Sequence, residues 1–544
     1  MTVNASSSSV SSRTEGIDLT AAGWLAPLPA AFLAGRDRDL LAPLRFLPGG
    51  ELPSGPAPAG ARRELAQELA VANRGYGHDR ADELARRLAD PATRVVVTGQ
   101  QPGLLGGPLY AFSKMVAAAR WAAELEAQGE PAVAVFWVAT EDHDWAEVSK
   151  AVVLAPDGPR TFDLGPDPSP LMPVGMRSLG PAVASVLAGL AEAVPGDRYA
   201  EWVATMSRWY RPDARFGEAF CRLMVHLLGP HCPLLLDAMH PALKEAQRPW
   251  LRRLVERRRE VEEALERQDA EVERRGYPLQ VAPQRGVSPL FLLNRGERRR
   301  IEWRADGFAL RGRDEGGGGG GSVTDLLRIV DENPGVVSPG VLARPVIQDA
   351  VLGTTLQVLG PGELSYMAQV SAVYPVLEVE APWTTLRPQT LVLESHQLGK
   401  LAEIGVSLPD LLADGPRLDR ILAERQGGDF VAPARQSIER ALDELRGPAL
   451  AADSNLERPF EKTREQILRA LDLFGEKATA AWSRRNEVVS RRVDQLRDLC
   501  LPLGKLQERT IVSAHYQGKY GERFAESYWE QLSLDPTTLQ VIVP

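Results

Sequence analysis

At 544 residues the chain is too long for a single core, which predicts two or three units. Its 44% apolar and 25% charged residues are ordinary for a water-soluble protein, and a formal net charge of -9 argues against a generic nucleic-acid surface while leaving room for a local basic groove. Three cysteines at unrelated spacings give neither a disulfide framework nor a zinc pattern, no metal-ligand spacing stands out, and no apolar run approaches membrane-spanning length. A reducing, cytoplasmic setting is the expectation.

Met1 to Gly16 is polar and serine-rich without an apolar core, so a disordered tail over residues 1–18 is expected rather than a signal peptide. Leu19 to Phe46 is expected to pack against the core, and Gly49 to Gly60 reads as a Pro/Gly loop. Arg62 to Leu88 reads as amphipathic helix with a break at Gly75-Tyr76-Gly77. The organising stretch follows. Val95-Val96-Val97 and Val133 to Ala139 are continuously apolar, as strands covered on both faces are. Ser113 to Gln128 between them has helical spacing and stops at Gly129. A strand-helix-strand unit of this kind has a right-handed crossover by default. Open parallel sheets bind ligands beyond the carboxyl ends of their strands. Two polar turns fall there, Thr98 to Pro108 and Thr140 to Trp145.

Farther on, Ala151 to Leu154 predicts a strand, Pro159 to Gly180 a loop, and Pro181 to Val194 and Trp202 to Leu228 two helices. Pro233 to Asp237 is a buried-strand signal ending in a carboxylate, and Pro241 to Gly276 reads as one long charge-laced helix. Pro289 to Asn294, Arg299 to Trp303 and Phe308 to Leu310 suggest a small antiparallel patch. The six glycines Gly316 to Gly321 have no lysine after them and no strand before them, so they read as a flexible loop rather than a phosphate loop. Leu356 to Leu359 leads through Gly360-Pro361-Gly362-Glu363 into a helix carrying Tyr366 and Gln369. Ile467, Leu471, Phe474, Ala478, Trp482, Val489, Val493, Leu496 and Cys500 form a heptad stripe with a slip near Trp482. An amphipathic helix on its own core and a dimerising coiled coil account for that spacing equally well. The last forty residues look like a return to the globular core.

Chemistry concentrates in the two turns. Glu141-Asp142-His143-Asp144 surrounds one imidazole with three carboxylates. Asp144 with Glu147 fits an acidic capping box, but capping does not need His143. That residue is the candidate general base or hydrogen-bond donor, with Asp142 beside it. Gln100-Gln101 followed by glycines, Gly103 among them, suggests close approach of a ligand, with an anion welcome at the following helix N-terminus. Asn294 ends a strand of the antiparallel patch and is a further binding candidate. Arg344 and Gln348 alone read as surface contacts or core salt bridges, and Glu363 as an acid in a first helical turn.

Five blocks give these residues a context. Thr98-Gly99-Gln100-Gln101-Pro102-Gly103-Leu104-Leu105-Gly106-Gly107-Pro108-Leu109-Tyr110 with Lys114 is the first, and Phe136 to Asp144 the second. Arg344-Pro345-Val346-Ile347-Gln348-Asp349, Gly360 to Tyr366, and Leu506-Gln507-Glu508-Arg509 with Tyr520-Gly521 complete the series. In this order they resemble the cysteine-adding enzymes of bacillithiol synthesis, the BshC family. Pro102, the glycine run and the serine-rich start depart from the family's pattern. The resemblance implies an α/β fold with a Rossmann-like parallel-sheet core and inserted connecting segments over 19–390. It also implies an α-helical coiled-coil arm over 391–505, a return to the core over 506–544, and a homodimer. The implied activity is a ligase joining the carboxyl of L-cysteine to the amine of glucosaminyl malate. Gln100, Gln101, His143, Arg344, Gln348, Glu363 and Tyr366 carry over as pocket residues. Amide formation from a free carboxylate is uphill, so activation is expected, most simply by a nucleotide such as ATP. A nucleotidyl or adenylate-forming enzyme acting on another acid and a non-catalytic coiled-coil dimer scaffold are the alternatives.

Overall fold

The computed structural model describes residues 17–19, 23–55, 57–311, 319–413, 415–425, 431–485 and 487–544. Met1 to Gly16 of the tail expected over residues 1–18, the glycines Gly316 to Gly318 and the side chain of Trp482 lie outside the described residues, whereas Ile17 and Asp18 are not tail but a short strand pairing antiparallel with Leu539 and Thr538. Two units result, one running to Val392 and resuming at Gln507–Pro544, the other comprising Leu393–Leu506.

In chain order the strands that place the site are β1 (Arg45–Leu47), β2 (Arg94–Gln100), β3 (Ala132–Val138), β4 (Leu234–Asp237), β5 (Val287–Asn294) and β6 (Glu297–Arg304). They continue with β7 (Gly307–Leu310), β8 (Gly320–Ser322), β9 (Val337–Pro339), β10 (Thr354–Leu359) and β11 (Trp383–Leu386). Six of them form a sheet in the order β1-β11-β10-β2-β3-β4, parallel at every pairing. Alternation along the buried strands feeds two cores. Val96, Ala134 and Phe136 face the helix Leu109–Ala127 through Phe112, Met115 and Trp121. Val95, Val97, Val133 and Val135 face Leu65, Leu69, Leu84 and Leu88 from two helices on the other side. A sheet covered on both faces needs apolar side chains in both directions, which is why these strands are continuously apolar.

β8-β7-β6-β5-β9 make an antiparallel sheet inserted between β4 and β10. Gly320 and Gly321 of the glycine run are therefore strand rather than loop, pairing with Ala309 and Phe308. Glycine is required there, because a Cβ on Gly320 would lie 2.5 Å from the Phe308 carbonyl oxygen.

Three other expectations are corrected. Lys150–Ala155 and Gly158–Asp163 form a two-stranded hairpin, so part of the expected loop after Pro159 is strand. It was illegible because a half-exposed hairpin arm such as Pro159-Arg160-Thr161-Phe162 needs no apolar alternation. Trp202 to Leu228 is split into Asp197–Met206 and Phe216–Leu228, with Pro212 in the turn between. Pro241 to Gly276 is two helices, Pro241–Glu256 and Arg258–Arg274, hinged where Arg257 leaves helical geometry at φ -98°, ψ 23°.

Beyond Gln507 the chain rejoins the core. Thr538–Ile542 pairs in parallel with Gln389–Val392. Glu508 is fully buried in a bidentate pair with Arg387, at 2.8 and 2.6 Å, and also accepts from the Thr390 amide at 3.0 Å. A forked carboxylate-guanidinium match of this kind satisfies both charges that burial would otherwise penalise.

In the second unit, Val431–Ala452 and Glu457–Arg485 pack side by side, laced by Arg435–Asp472 and Arg446–Glu461 ion pairs. The heptad stripe spans two helices, Glu457–Arg485 and Glu487–Cys500. It also divides in character: Val493, Leu496 and Cys500 are buried within the unit, whereas Phe474 is 56% exposed.

Candidate active site

A cavity of 1030 Å³ opens beyond the carboxyl ends of β2 and β3 and is closed on its far side by β5, β6 and the segment after β9. Its walls differ in charge. The sheet edge supplies Asp142, His143, Asp144 and Glu147, the antiparallel sheet supplies Arg298 and Arg300, and Asp167, Arg258, Glu262, Glu266, Asp269 and Arg285 add charges of both signs elsewhere in the lining.

Asp142 is the hub of the acidic turn. Its carboxylate accepts from Gln101 Nε2 at 2.8 Å and from the His143 amide at 2.7 Å, and Arg298 Nη1 lies 3.7 Å away. His143 stands edge-on to Phe291, with the ring centroids 6.2 Å apart. Its Nδ1 is 3.7 Å from Asp142 and has no hydrogen-bond partner among the described residues. Desolvation and the neighbouring Arg298 hold the imidazole below its ordinary value, against the pull of Asp142 and Asp144. It is therefore neutral near pH 7, with a ring nitrogen available to a ligand.

Arg298 is clamped by Ser338 Oγ at 3.0 Å and the Pro339 carbonyl at 3.1 Å, and its guanidinium lies over the Phe291 ring at 3.8 Å. Opposite Phe291 in the ladder, Arg300 lies over the same ring at 5.3 Å. Below the acidic turn, the Glu141 carboxylate pairs with Lys244, and both side chains are buried. Burial pushes the Lys244 ammonium down from its ordinary value.

The first turn is organised from beneath by Lys114. This ammonium is 2% exposed and has three acceptors: the Gly99 carbonyl at 2.8 Å, Gln100 Oε1 at 2.9 Å and Glu363 Oε2 at 2.5 Å. With its oxygen held by Lys114, the Gln100 amide directs its N–H groups outward, to Glu147 Oε1 at 2.9 Å and the Tyr110 hydroxyl at 3.3 Å. Glu363 also accepts from the Gly360 amide at 2.6 Å. Arg344 donates to Gln348 Oε1 at 3.0 Å and to the Tyr366 hydroxyl at 2.9 Å. Behind them, Gln348 reaches the buried Asp349, which accepts from Gln357 at 2.6 Å and Tyr374 at 2.5 Å.

Gln100, Gln101, Asp142, His143, Arg344, Glu363 and Tyr366 thus line one cavity. Gly103, Gln348 and Asn294 are outside its lining. Gly103 closes the turn, since a Cβ there would lie 2.7 Å from Gly107 Cα. Gln348 braces Arg344 from behind. Asn294 ends β5 opposite Glu297 at the hairpin turn.

The helix N-terminus after the first turn does not stand open to an anion as expected. Leu109 N donates to the Ile511 carbonyl at 2.8 Å, and the Ser513 amide donates to Gly107 O at 2.9 Å, so the returning segment roofs the turn. Residues missed from sequence are Lys114, Glu147, Arg298 and Arg300. Lys114 was visible as the cation closing the first motif block. The arginines belong to the charged run Arg298-Arg299-Arg300, whose inward members emerge only once β6 is paired.

Residues 53–388 match the profile described as the N-terminal Rossmann-like domain of bacillithiol biosynthesis BshC, and 390–542 match its C-terminal coiled-coil domain. The chain belongs to the BshC family. A family member from Salinibacter ruber is 31% identical over 492 residues, covering 88% of each chain. Others from Solibacter usitatus (29%; 84% and 86% of the two chains) and Symbiobacterium thermophilum (30%; 88% and 89%) are similar over the same extent. All three bear the name "Putative cysteine ligase BshC". In this BshC chain the first four motif blocks fall in the first unit and contribute residues to the cavity lining, and the fifth, from Gln507 onward, belongs to the same unit.

Proposed function

We propose that the protein is a cytoplasmic cysteine ligase of bacillithiol biosynthesis, joining the carboxyl of L-cysteine to the amine of glucosaminyl malate. The observation that carries this is the two-sided cavity: an ammonium-bearing dicarboxylate has its amine attracted to the acidic turn and its carboxylates to Arg298 and Arg300. Arg344, with two N–H groups committed to Gln348 and Tyr366, has others to offer a carboxylate. Neutral His143 either accepts a proton or donates its N–H to developing charge. The cysteine carboxyl is activated before attack, most simply by a nucleotide. The test is mass-spectrometric detection of the thiol amide from L-cysteine and glucosaminyl malate, run with and without ATP. Product only with ATP supports nucleotide activation. ATP–pyrophosphate exchange driven by a different amino acid, with no cysteine product, favours an adenylate-forming enzyme acting on another acid.

The working form in this reading is a homodimer through the coiled-coil unit. Ile467 and Phe474, 36% and 56% exposed on one stripe, are the apolar surface that a partner covers. Asp at both Leu471 and Phe474 is expected to give monomers by light scattering, and an unchanged dimer rules out this seam.

A further inference from the structure

Glu147 has a position that capping does not explain. The cap of the short helix Trp145–Val148 is made by Asp144, whose carboxylate accepts from the Glu147 backbone amide at 3.2 Å. The Glu147 side chain is left over, and it points to the cavity. The residue is exposed and belongs to the cavity lining. One carboxylate oxygen is fixed by Gln100 Nε2 at 2.9 Å, and Gln100 is in turn fixed by Lys114. The hydrogen-bonded sequence Lys114–Gln100–Glu147 thus runs from a buried ammonium to a cavity-facing carboxylate.

We propose that Glu147 accepts the proton that the substrate amine loses before it attacks the activated cysteine carbonyl. The inference rests on the cysteine-ligase reading and assigns one step within it. An amine at neutral pH arrives largely as ammonium and has no lone pair to offer. Transfer of one N–H proton to the Glu147 carboxylate yields the neutral amine and a neutral carboxylic acid, so charge and atoms balance within the pair. Asp142 is less suited, because Gln101, the His143 amide and Arg298 already surround it. His143 faces Arg298, which repels the cation that a proton-accepting imidazole becomes. Glu147 has the opposite surroundings. Asp142 and Asp144 from its own turn favour its protonated form, while Lys114 and the Gln100 amide oppose it. Tyr110 from the same helix as Lys114 lies beside Gln100. Arg298, Arg300, Arg344 and Glu363 stand elsewhere around the cavity, as do Asp167, Arg258, Glu262, Glu266, Asp269 and Arg285. Desolvation and the two aspartates bring the Glu147 carboxyl up to about 7, where a general base is most effective near neutral pH.

Two measurements on the full-length protein test this. Infrared difference spectra between pH 6 and 8, without substrate, are expected to show a protonated carboxyl that titrates near neutrality and disappears in Glu147→Gln. The kcat/KM for amide formation is expected to fall about 100-fold in Glu147→Gln and to lose the ionisation near pH 7, whereas His143→Asn keeps that ionisation. Gln100→Ala, which removes the hydrogen bond favouring the charged form, is expected to move it to higher pH. Amide formation with an unchanged profile in a folded Glu147→Gln protein overturns the assignment and leaves the ligase reading intact. No amide from the wild-type protein at any pH overturns the ligase reading and this step with it, whatever the infrared titration shows.

Discussion

The two turns at the sheet edge have the same address and opposite fates. Both follow a buried parallel strand, both are rich in polar residues, and both stand where open α/β sheets bind their ligands. The turn after β3 keeps its side chains on the cavity: Asp142, His143, Asp144 and Glu147 all face it. The turn after β2 offers Gly99, Gln100 and Gln101, while Gly107 and the helix entry at Leu109 are taken up by Ser513 and Ile511. Glycines at a strand end therefore have two uses. They let a ligand approach the backbone, or they let another stretch of the same chain do so. Gly103 against Gly107 is the second case, because a methyl group at Gly103 would meet backbone atoms.

Changes in the two turns should consequently fail in different ways. The largest effect is expected at His143. His143→Asn should lower turnover on the order of 100-fold with an unaltered thermal melt; near-normal turnover would return the imidazole to a structural role. Gly103→Ala should do the reverse, costing on the order of 1–3 kcal/mol of stability through overpacking, with the remaining folded protein active. A melt as high as wild type for that variant removes the distinction between the turns.

Asp349 offers a subtler test, from beneath the cavity. Burial holds its carboxyl at about 6 against an ordinary value of 3.8, even though Tyr374 and Gln357 donate to it. The folded state thus keeps a proton that the unfolded chain gives up over this range. The stabilising contribution is complete below about pH 4 and is lost as pH rises to about 6. Wild type should lose on the order of 3 kcal/mol relative to Asp349→Asn across that window. Parallel melting curves of the two proteins between pH 4 and 7 would refute this.

The smallest effect concerns thiols. Cys221, Cys232 and Cys500 are buried and unpaired, and none lines the cavity. Burial pushes the Cys221 and Cys232 thiols up, away from the thiolate that a nucleophile needs. Replacing all three by Ala or Ser should leave most of the activity once any stability loss is allowed for. A substrate adduct trapped on Cys232 and seen by mass spectrometry would show otherwise.

What was legible in the sequence follows from range. β2 and β3 announced themselves because each buries both faces, so every residue carries the signal. β1 and β11 did not, because Arg45-Phe46-Leu47 and Trp383-Thr384-Thr385-Leu386 are short and lie toward one side of the sheet. The acidic turn was readable as local chemistry. The basic wall was not, since Arg298 faces inward only because Ser338, Pro339 and Phe291 receive it. Glu147 was read as half of a cap. The backbone half of that reading holds, while its carboxylate goes to Gln100, 47 residues away in the chain. Side-chain direction at the end of a one-turn helix is set by tertiary partners, which no local pattern encodes.

The roof over the first turn also sets an order of events on the ribosome. Gly107 emerges early, yet the Ser513 side chain that bonds it lies 406 residues downstream. At ordinary elongation rates that separation is a delay of roughly 20–80 s. For that interval the Gly107 carbonyl and the Leu109 amide lack the partners that later satisfy them. A nascent chain of this protein therefore completes its binding edge only after synthesis has passed the whole helical unit. Premature termination anywhere within that unit leaves the Gly107 carbonyl and the Leu109 amide without these partners.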